Sequence, residues 1–235
     1  MSEPALYGYA IWPKWHCQFP FEGLSVSKER TCIPLSPEPR IAELSRKVDL
    51  RGLKVLELGS MEGAHSYMLE SLGAGEVLAI EGRTENFLKS LVVKNAFNLK
   101  KCTFLLGDFQ EILGSLAGGF DLCLALGVLY HLEDPVKTLH SISALSGMLY
   151  IWSHYATEDF PEGKVAQIVH ASKTYRGKHV REDAQCYTSG LSGRSFWLFE
   201  EELLRSIRDA GFREIEVLSK ERHEHGPAVT LLAKK

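Results

Sequence analysis

Apolar residues in this chain come in short runs rich in Val, Ile and Leu, separated by stretches with helical spacing. Residues 53–58, 76–81, 102–106, 120–126 and 148–153 read as strands. Residues 39–49 and 64–72 read as helices, and Leu88, Leu91, Val92, Ala96 and Leu99 fall at helical spacing as one apolar face. Near-continuous apolar strands joined by short helical crossovers predict a parallel sheet covered on both sides. Toward the end, Glu200, Glu201 and Glu202 place negative charge at a helix start, and Ala210-Gly211 supply its C-cap. Residues 214–218 and 228–233, around a Gly226-Pro227 turn, predict a closing antiparallel hairpin. The expected class is α/β, Rossmann-like and doubly wound, with a mostly parallel sheet.

Two segments stand outside this alternation. Residues 1–37 are irregular and aromatic, with Tyr7, Tyr9, Trp12, Trp15, Phe19 and Phe21 broken by prolines. They read as a strap laid on a domain of residues 38–235, or as a roof over its substrate site. Residues 154–198 are too long for a simple connection, and loops of that length are usually functional. A short helix with Val165, Ile168 and Val169 on one side is expected there, followed by a stretch rich in Tyr, Gly and Ser. Residues 163–181 carry Lys164, Lys173, Arg176, Lys178 and Arg181 with His170 and His179, and no acid. This segment reads as a substrate-side insertion.

The strand at 53–58 breaks into Gly59-Ser60-Met61-Glu62-Gly63 and then a helix. Glycines at such a turn let backbone approach a ligand, and the helix start presents free N–H groups. Glu81 ends the next strand 22 residues after Gly59. An acid at that distance in a nucleotide-binding α/β unit accepts the ribose hydroxyls. The chain therefore binds a ribose-containing cofactor. Met61 and Ala64 replace two glycines of a dinucleotide fingerprint, and no nucleoside-triphosphate loop is present.

Composition narrows partners only a little. A formal charge of −3 gives no global attraction to nucleic acid or acidic membranes. No apolar run is long enough to span a membrane, and the N-terminus lacks signal-peptide character. Five cysteines without a C-x-x-C pair fit a reduced, cytoplasmic setting.

The run Glu57-Leu58-Gly59-Ser60-Met61-Glu62-Gly63 resembles the first motif of class I S-adenosylmethionine (SAM) methyltransferases. Leu106-Gly107-Asp108-Phe109 resembles their third-strand motif, and 120–135, containing Gly127-Val128-Leu129-Tyr130-His131, their fourth-strand motif and active-site turn. Phe196-Trp197, the helix from Glu200 and Ala210-Gly211-Phe212 resemble their closing elements. These matches span about 38–235. Within the class the wording is similar to a largely uncharacterised bacterial group, and shares its Tyr-His turn with the carboxymethyltransferases of the tRNA wobble uridine.

The resemblance implies a seven-stranded sheet ending in an antiparallel hairpin, with SAM as cofactor and S-adenosylhomocysteine as product. It implies cofactor contacts from Glu57, Gly59, Ser60, Met61, Gly63, Glu81, Gly82, Asp108, Phe109 and Leu126. Asp108 also reads as a helix N-cap before 109–116, a role compatible with cofactor contact. His131 is the candidate base because it follows a strand at its ligand-binding edge and histidine is the side chain suited to accept a proton at working pH; Tyr130 and His154 are the other catalytic candidates. Tyr155, Lys173, Tyr175, Arg176 and Trp197 are candidates for substrate contact. His65 reads as a cofactor or solvent neighbour. His223 and His225 lack a third ligand at useful spacing, so no metal is expected.

Three functions remain open at this point. The first is methyl transfer to oxygen or nitrogen of a small molecule, possibly anionic, by a monomer or homodimer. The second is tRNA modification by methyl or carboxymethyl transfer; the third is SAM binding without catalysis.

Overall fold

The computed structural model describes Trp12 and residues 15–18, 33–34, 38–223 and 225–235. Tyr7, Tyr9, Phe19, Phe21 and Cys32 lie outside the described residues, so the expected strap is visible only around Trp12 and Trp15. The chain divides into two compact units, Met1–Gly107 and Asp108–Lys235.

In the first unit, β1 (Cys17–Gln18) and β2 (Ile33–Pro34) form a short parallel pair. Helix α1 (Pro39–Lys47) starts on Glu38, whose carboxylate accepts the Ile41 N–H at 2.9 Å, with Pro39 preset for the first turn. Then β3 (Lys54–Leu58), α2 (Ala64–Ser71), β4 (Glu76–Glu81), α3 (Thr84–Ala96) and β5 (Cys102–Leu106) follow in strict alternation. The three strands run parallel, Leu58 beside Ile80 and Glu81 beside Leu106. Val55, Leu56, Leu58, Val77 and Ile80 are buried, as strands covered on both faces require.

Helix α3 forms where its periodicity placed it but turns a different face inward. Leu88 and Leu91 are exposed, while Asn86, Lys89, Ser90 and Val93 are buried. The period survives and the phase shifts. Lys89 meets the carboxylates of Glu85 at 2.8 Å and Glu62 at 3.4 Å, so its charge is paired inside the unit. Those polar partners determine which side faces in.

In the second unit, β6 (Phe120–Leu126) lies parallel to β7 (Ser146–His154), joined by α5 (Pro135–Leu145). The last two main-sheet strands, β11 (Glu214–His223) and β12 (Gly226–Lys234), form the expected antiparallel hairpin, and β12 pairs antiparallel with β7. Both strands are longer than their apolar cores suggested. The main sheet has seven strands in all, the α/β arrangement expected from sequence. Helix α6 (Glu200–Asp209) begins with three acids and ends at Ala210 before Gly211, whose φ is +114°.

The expected short helix around Val165 is instead strand β8 (Val165–His170), paired antiparallel with β9 (Lys173–Arg181), which pairs with β10 (Arg194–Leu198). The β-branched residues favour a pleated surface over a helix. The turn joining β8 to β9 is Ala171-Ser172, both residues at positive φ (47° and 63°). That is the geometry of the tight hairpin turn normally signalled by Asn-Gly; without those residues it left no mark on the sequence. Among the described residues, no helix is long and apolar enough to cross a membrane.

Candidate active site

The glycine turn of the first unit places left-handed residues at alternate positions. Gly59, Met61 and Gly63 have φ of 68°, 46° and 82°. Met61 thus adopts the conformation that the missing middle glycine would have supplied. Its N–H donates to Glu81 Oε2 at 2.7 Å, and the Arg83 N–H donates to Oε1 at 2.9 Å. Burial pushes the Glu81 carboxyl above the usual range, against the pull of those bonds and of Asn86. Turn and strand-end acid are therefore one connected piece, although they lie 20 residues apart. Gly59 is tied by its N–H to Ile80 O at 2.9 Å, and part-exposed Gly82 follows Glu81 at the strand end.

Two other acids of this stretch are turned inward. Glu57 accepts a short hydrogen bond from the Ser66 hydroxyl and lies 3.4 Å from His65 Nδ1, so it braces α2. Glu62, fully buried, accepts the N–H groups of His16 and Cys17 at 2.7–2.8 Å. Lys89, which pairs with Glu62, also lies 5.5 Å over the buried Trp15 ring. The turn thus anchors the start of the chain. Ser60 Oγ is buried and has no hydrogen-bond partner among the described residues, which fits a polar ligand group. An orphaned hydroxyl, a backbone turn with an uncapped helix start and a ribose-type acid together suit a nucleoside cofactor with an amino-acid tail.

In the second unit, the end of β6 leads through Gly127 (φ +76°) into the Leu129–His131 turn. His131 Nδ1 lies 3.0 Å from both oxygens of Glu182, just past β9. Burial raises the Glu182 carboxyl, but His131 and the Gly190 N–H outweigh it and hold the group below its ordinary value. An ionised carboxylate only accepts, so Nδ1 carries a proton; in the neutral ring the lone pair is then on Nε2. Gly190 closes this arrangement. A Cβ there would sit 2.5 Å from the His131 carbonyl oxygen, so the 183–193 loop lies against His131 only because residue 190 has no side chain.

Aromatic rings enclose the same turn. The Tyr130 ring centroid lies 4.1 Å from His131, 4.7 Å from His154, 5.6 Å from Trp197 and 5.8 Å from Trp152. Trp197 stacks with His154 and with Phe160, at 5.0 and 4.8 Å between ring centroids. His154 Nδ1 is 3.1 Å from the Pro227 carbonyl oxygen, and burial lowers its pKa to about 4.

The sequence-derived candidates separate accordingly. Tyr130, His131, His154 and Trp197 come together. Lys173 and Tyr175 do not join them: both bond to Asp209 on α6, at 2.6 and 2.9 Å, and Tyr175 is fully buried. Arg176 pairs with Glu158 at 3.2 Å and lies over Phe199. Tyr155 is buried, and burial together with the nearby Glu200 carboxylate pushes its phenol above the usual range. Asp108 caps α4 (Phe109–Ile112) by accepting the Gln110 N–H at 2.8 Å, Phe109 is part-exposed, and Leu126 ends β6. Glu182 and Trp152 escaped sequence reading, and His223 enters it only as half of a metal pair. Only the position of Glu182, the first acid after the basic run, could have drawn notice. No group of three metal-ligating side chains occurs among the described residues.

The α/β sheet with its terminal hairpin, and the glycine turn joined to a strand-end acid, define a class I SAM-dependent methyltransferase. A family profile described as a methyltransferase domain matches residues 49–211, and the chain belongs to that family. The N-terminal domain of EvdMO1, solved in the presence of S-adenosylhomocysteine and D-fucose, superposes with a TM-score of 0.78 at 26% identity over 99% of this chain and 95% of that one. Magnesium protoporphyrin IX methyltransferase from Synechocystis PCC 6803 with bound SAM shares the fold, with a TM-score of 0.57 at 16% identity over 84% and 77%. A tRNA U34 carboxymethyltransferase from Campylobacter hominis is 30% identical over 97 residues, 41% of this chain but 33% of that protein. The matched stretch thus spans about a third of that curated relative. SAM is the cofactor.

Proposed function

We propose that this protein methylates a hydroxyl oxygen of a small polyhydroxylated molecule, with His131 as general base. The observation that carries this reading is the His131–Glu182 pair, which occupies Nδ1 and leaves Nε2 without a partner among the described residues, beside Tyr130. When bound, SAM supplies a sulfonium-activated methyl group. A sugar hydroxyl is far too weak an acid to ionise unaided near neutrality, so a positioned base matters here more than it would for an amine. His131 Nε2 takes the hydroxyl proton as the oxygen–methyl bond forms, and Glu182 stabilises the resulting imidazolium. The site is rich in aromatic faces and neutral imidazole, which suits an uncharged polyol. D-fucose accompanying a structural relative of near-equal length supports the same class.

The second reading, tRNA modification, draws on the curated relatives. Against it, three of the five basic residues in the 164–181 run are engaged within the unit, while Lys164 and Arg181 stay exposed. Lys173 pairs with Asp209, Arg176 with Glu158, and Lys178 is buried, donating to the carbonyls of Glu158 and Phe160. The two readings are separated by offering SAM with a monosaccharide panel and, separately, unmodified tRNA. Sugar methylation is expected. His131→Asn should lower kcat by about 10²–10⁴-fold with SAM affinity retained, and Glu182→Gln should fall part of the way. Modification of tRNA alone, with binding that collapses as salt rises, would replace this reading by the second.

A further inference from the structure

Two imidazoles flank the Tyr130 ring, His131 at 4.1 Å and His154 at 4.7 Å between centroids. Each is held through Nδ1 by a group that can only accept a hydrogen bond, the Glu182 carboxylate for one and the Pro227 carbonyl for the other. Each Nδ1 is therefore protonated, and in the neutral ring the lone pair lies on Nε2. Neither Nε2 has a hydrogen-bond partner among the described residues.

His154 is only 3% exposed, and Trp152, Trp197 and His223 surround its ring at 5.0, 5.0 and 5.1 Å. The ionisable groups around it are His223, His225 and His131, all of which oppose a positive charge on the ring. His154 therefore stays neutral and can offer a ligand one thing, an acceptor for an O–H or N–H. Trp152 cannot supply that O–H or N–H donor, because its Nε1–H is already committed to Glu221 at 2.5 Å.

We propose that the acceptor is a vicinal diol, its two neighbouring hydroxyls taken one by each imidazole. His131 receives the proton of the hydroxyl that is methylated, while His154 accepts a hydrogen bond from its neighbour and fixes which oxygen reacts. The new bond joins that oxygen to the methyl carbon, the carbon–sulfur bond breaks, and the proton ends on His131 Nε2. This rests on His131 being the base, as above; the part added here is a regioselecting role for His154 and the requirement for a second hydroxyl. A mono-hydroxy acceptor would leave a buried lone pair unmatched, and sites built to bond a substrate hydroxyl reject analogues that lack it.

The test uses the full chain with SAM, D-fucose and its 2-, 3- and 4-deoxy analogues. For wild type, deletion of the hydroxyl next to the methylated one should lower kcat/KM at least about tenfold, mainly through KM. His154→Phe should bring D-fucose down to the level of that deoxy analogue and lower the analogue itself no further. His154→Gln, whose side-chain carbonyl restores an acceptor, should recover part of the loss and controls for a folding defect. Equal losses for parent and analogue in His154→Phe, or undiminished methylation of mono-hydroxy acceptors, would overturn the diol assignment and leave O-methyl transfer standing. Failure of every hydroxyl acceptor while SAM still binds would overturn both.

Discussion

The two units treat their buried polar side chains in opposite ways. In the first, Glu62 and Glu81 have both carboxylate oxygens engaged by N–H groups of the same unit, and the result is a stiff backbone cradle. In the second, His131 and His154 are tied at one nitrogen and left open at the other. The difference matches the two tasks. A cofactor shared across many enzymes is held through backbone shape, whereas an acceptor is chosen by a few lone pairs whose direction is fixed from behind.

Perturbing each side tests this contrast. The largest effect in the first unit is expected from Glu81→Ala, which deletes the acid and releases the Met61 N–H together. SAM affinity should fall at least about tenfold, or about 1.4 kcal/mol by calorimetry, while kcat at saturating SAM stays near wild type. An unchanged dissociation constant would remove Glu81 from the cofactor site. Gly63→Ala should act on stability before affinity. The new Cβ would lie 3.0 Å from Phe104 Cζ and 3.2 Å from Ser90 Cβ at a φ of +82°. About 1–3 kcal/mol is expected from crowding and left-handed backbone together, read from the denaturation midpoint. If the midpoint did not move, the turn would be softer than its packing indicates.

The smallest effect belongs to the second unit and to pH. Burial lowers His154 from 6.5 to about 4. Between those values the unfolded chain binds a proton that the folded chain refuses. Stability should therefore decline as pH drops through that window and be unaffected by this residue above it. In His154→Gln the decline should be shallower; an identical pH profile in both proteins would mean that His154 protonates freely when folded.

Much of the first unit could be read in advance, because its information is local. The strands at 54–58, 76–81 and 102–106 fell where continuous apolar runs stood, and the turn between them was marked by glycine. Even there, burial of Lys89 instead of Leu88 escaped the reading, since it depends on Glu62 and Trp15 arriving from elsewhere. In the second unit the Ala171-Ser172 hairpin had no turn residues to announce it.

The alternation of the main-sheet strands with their helices, the glycine turn and its distance from Glu81 are properties of the sequence alone, because hydrophobic period and backbone conformational freedom act over a few residues. What only the folded chain decided is who stands behind each imidazole. Glu182 reaches His131 across 51 residues and Pro227 reaches His154 across 73. No local preference encodes such a pairing; it exists only because β9 and β12 deliver those acceptors to rings that the ends of β6 and β7 hold in place.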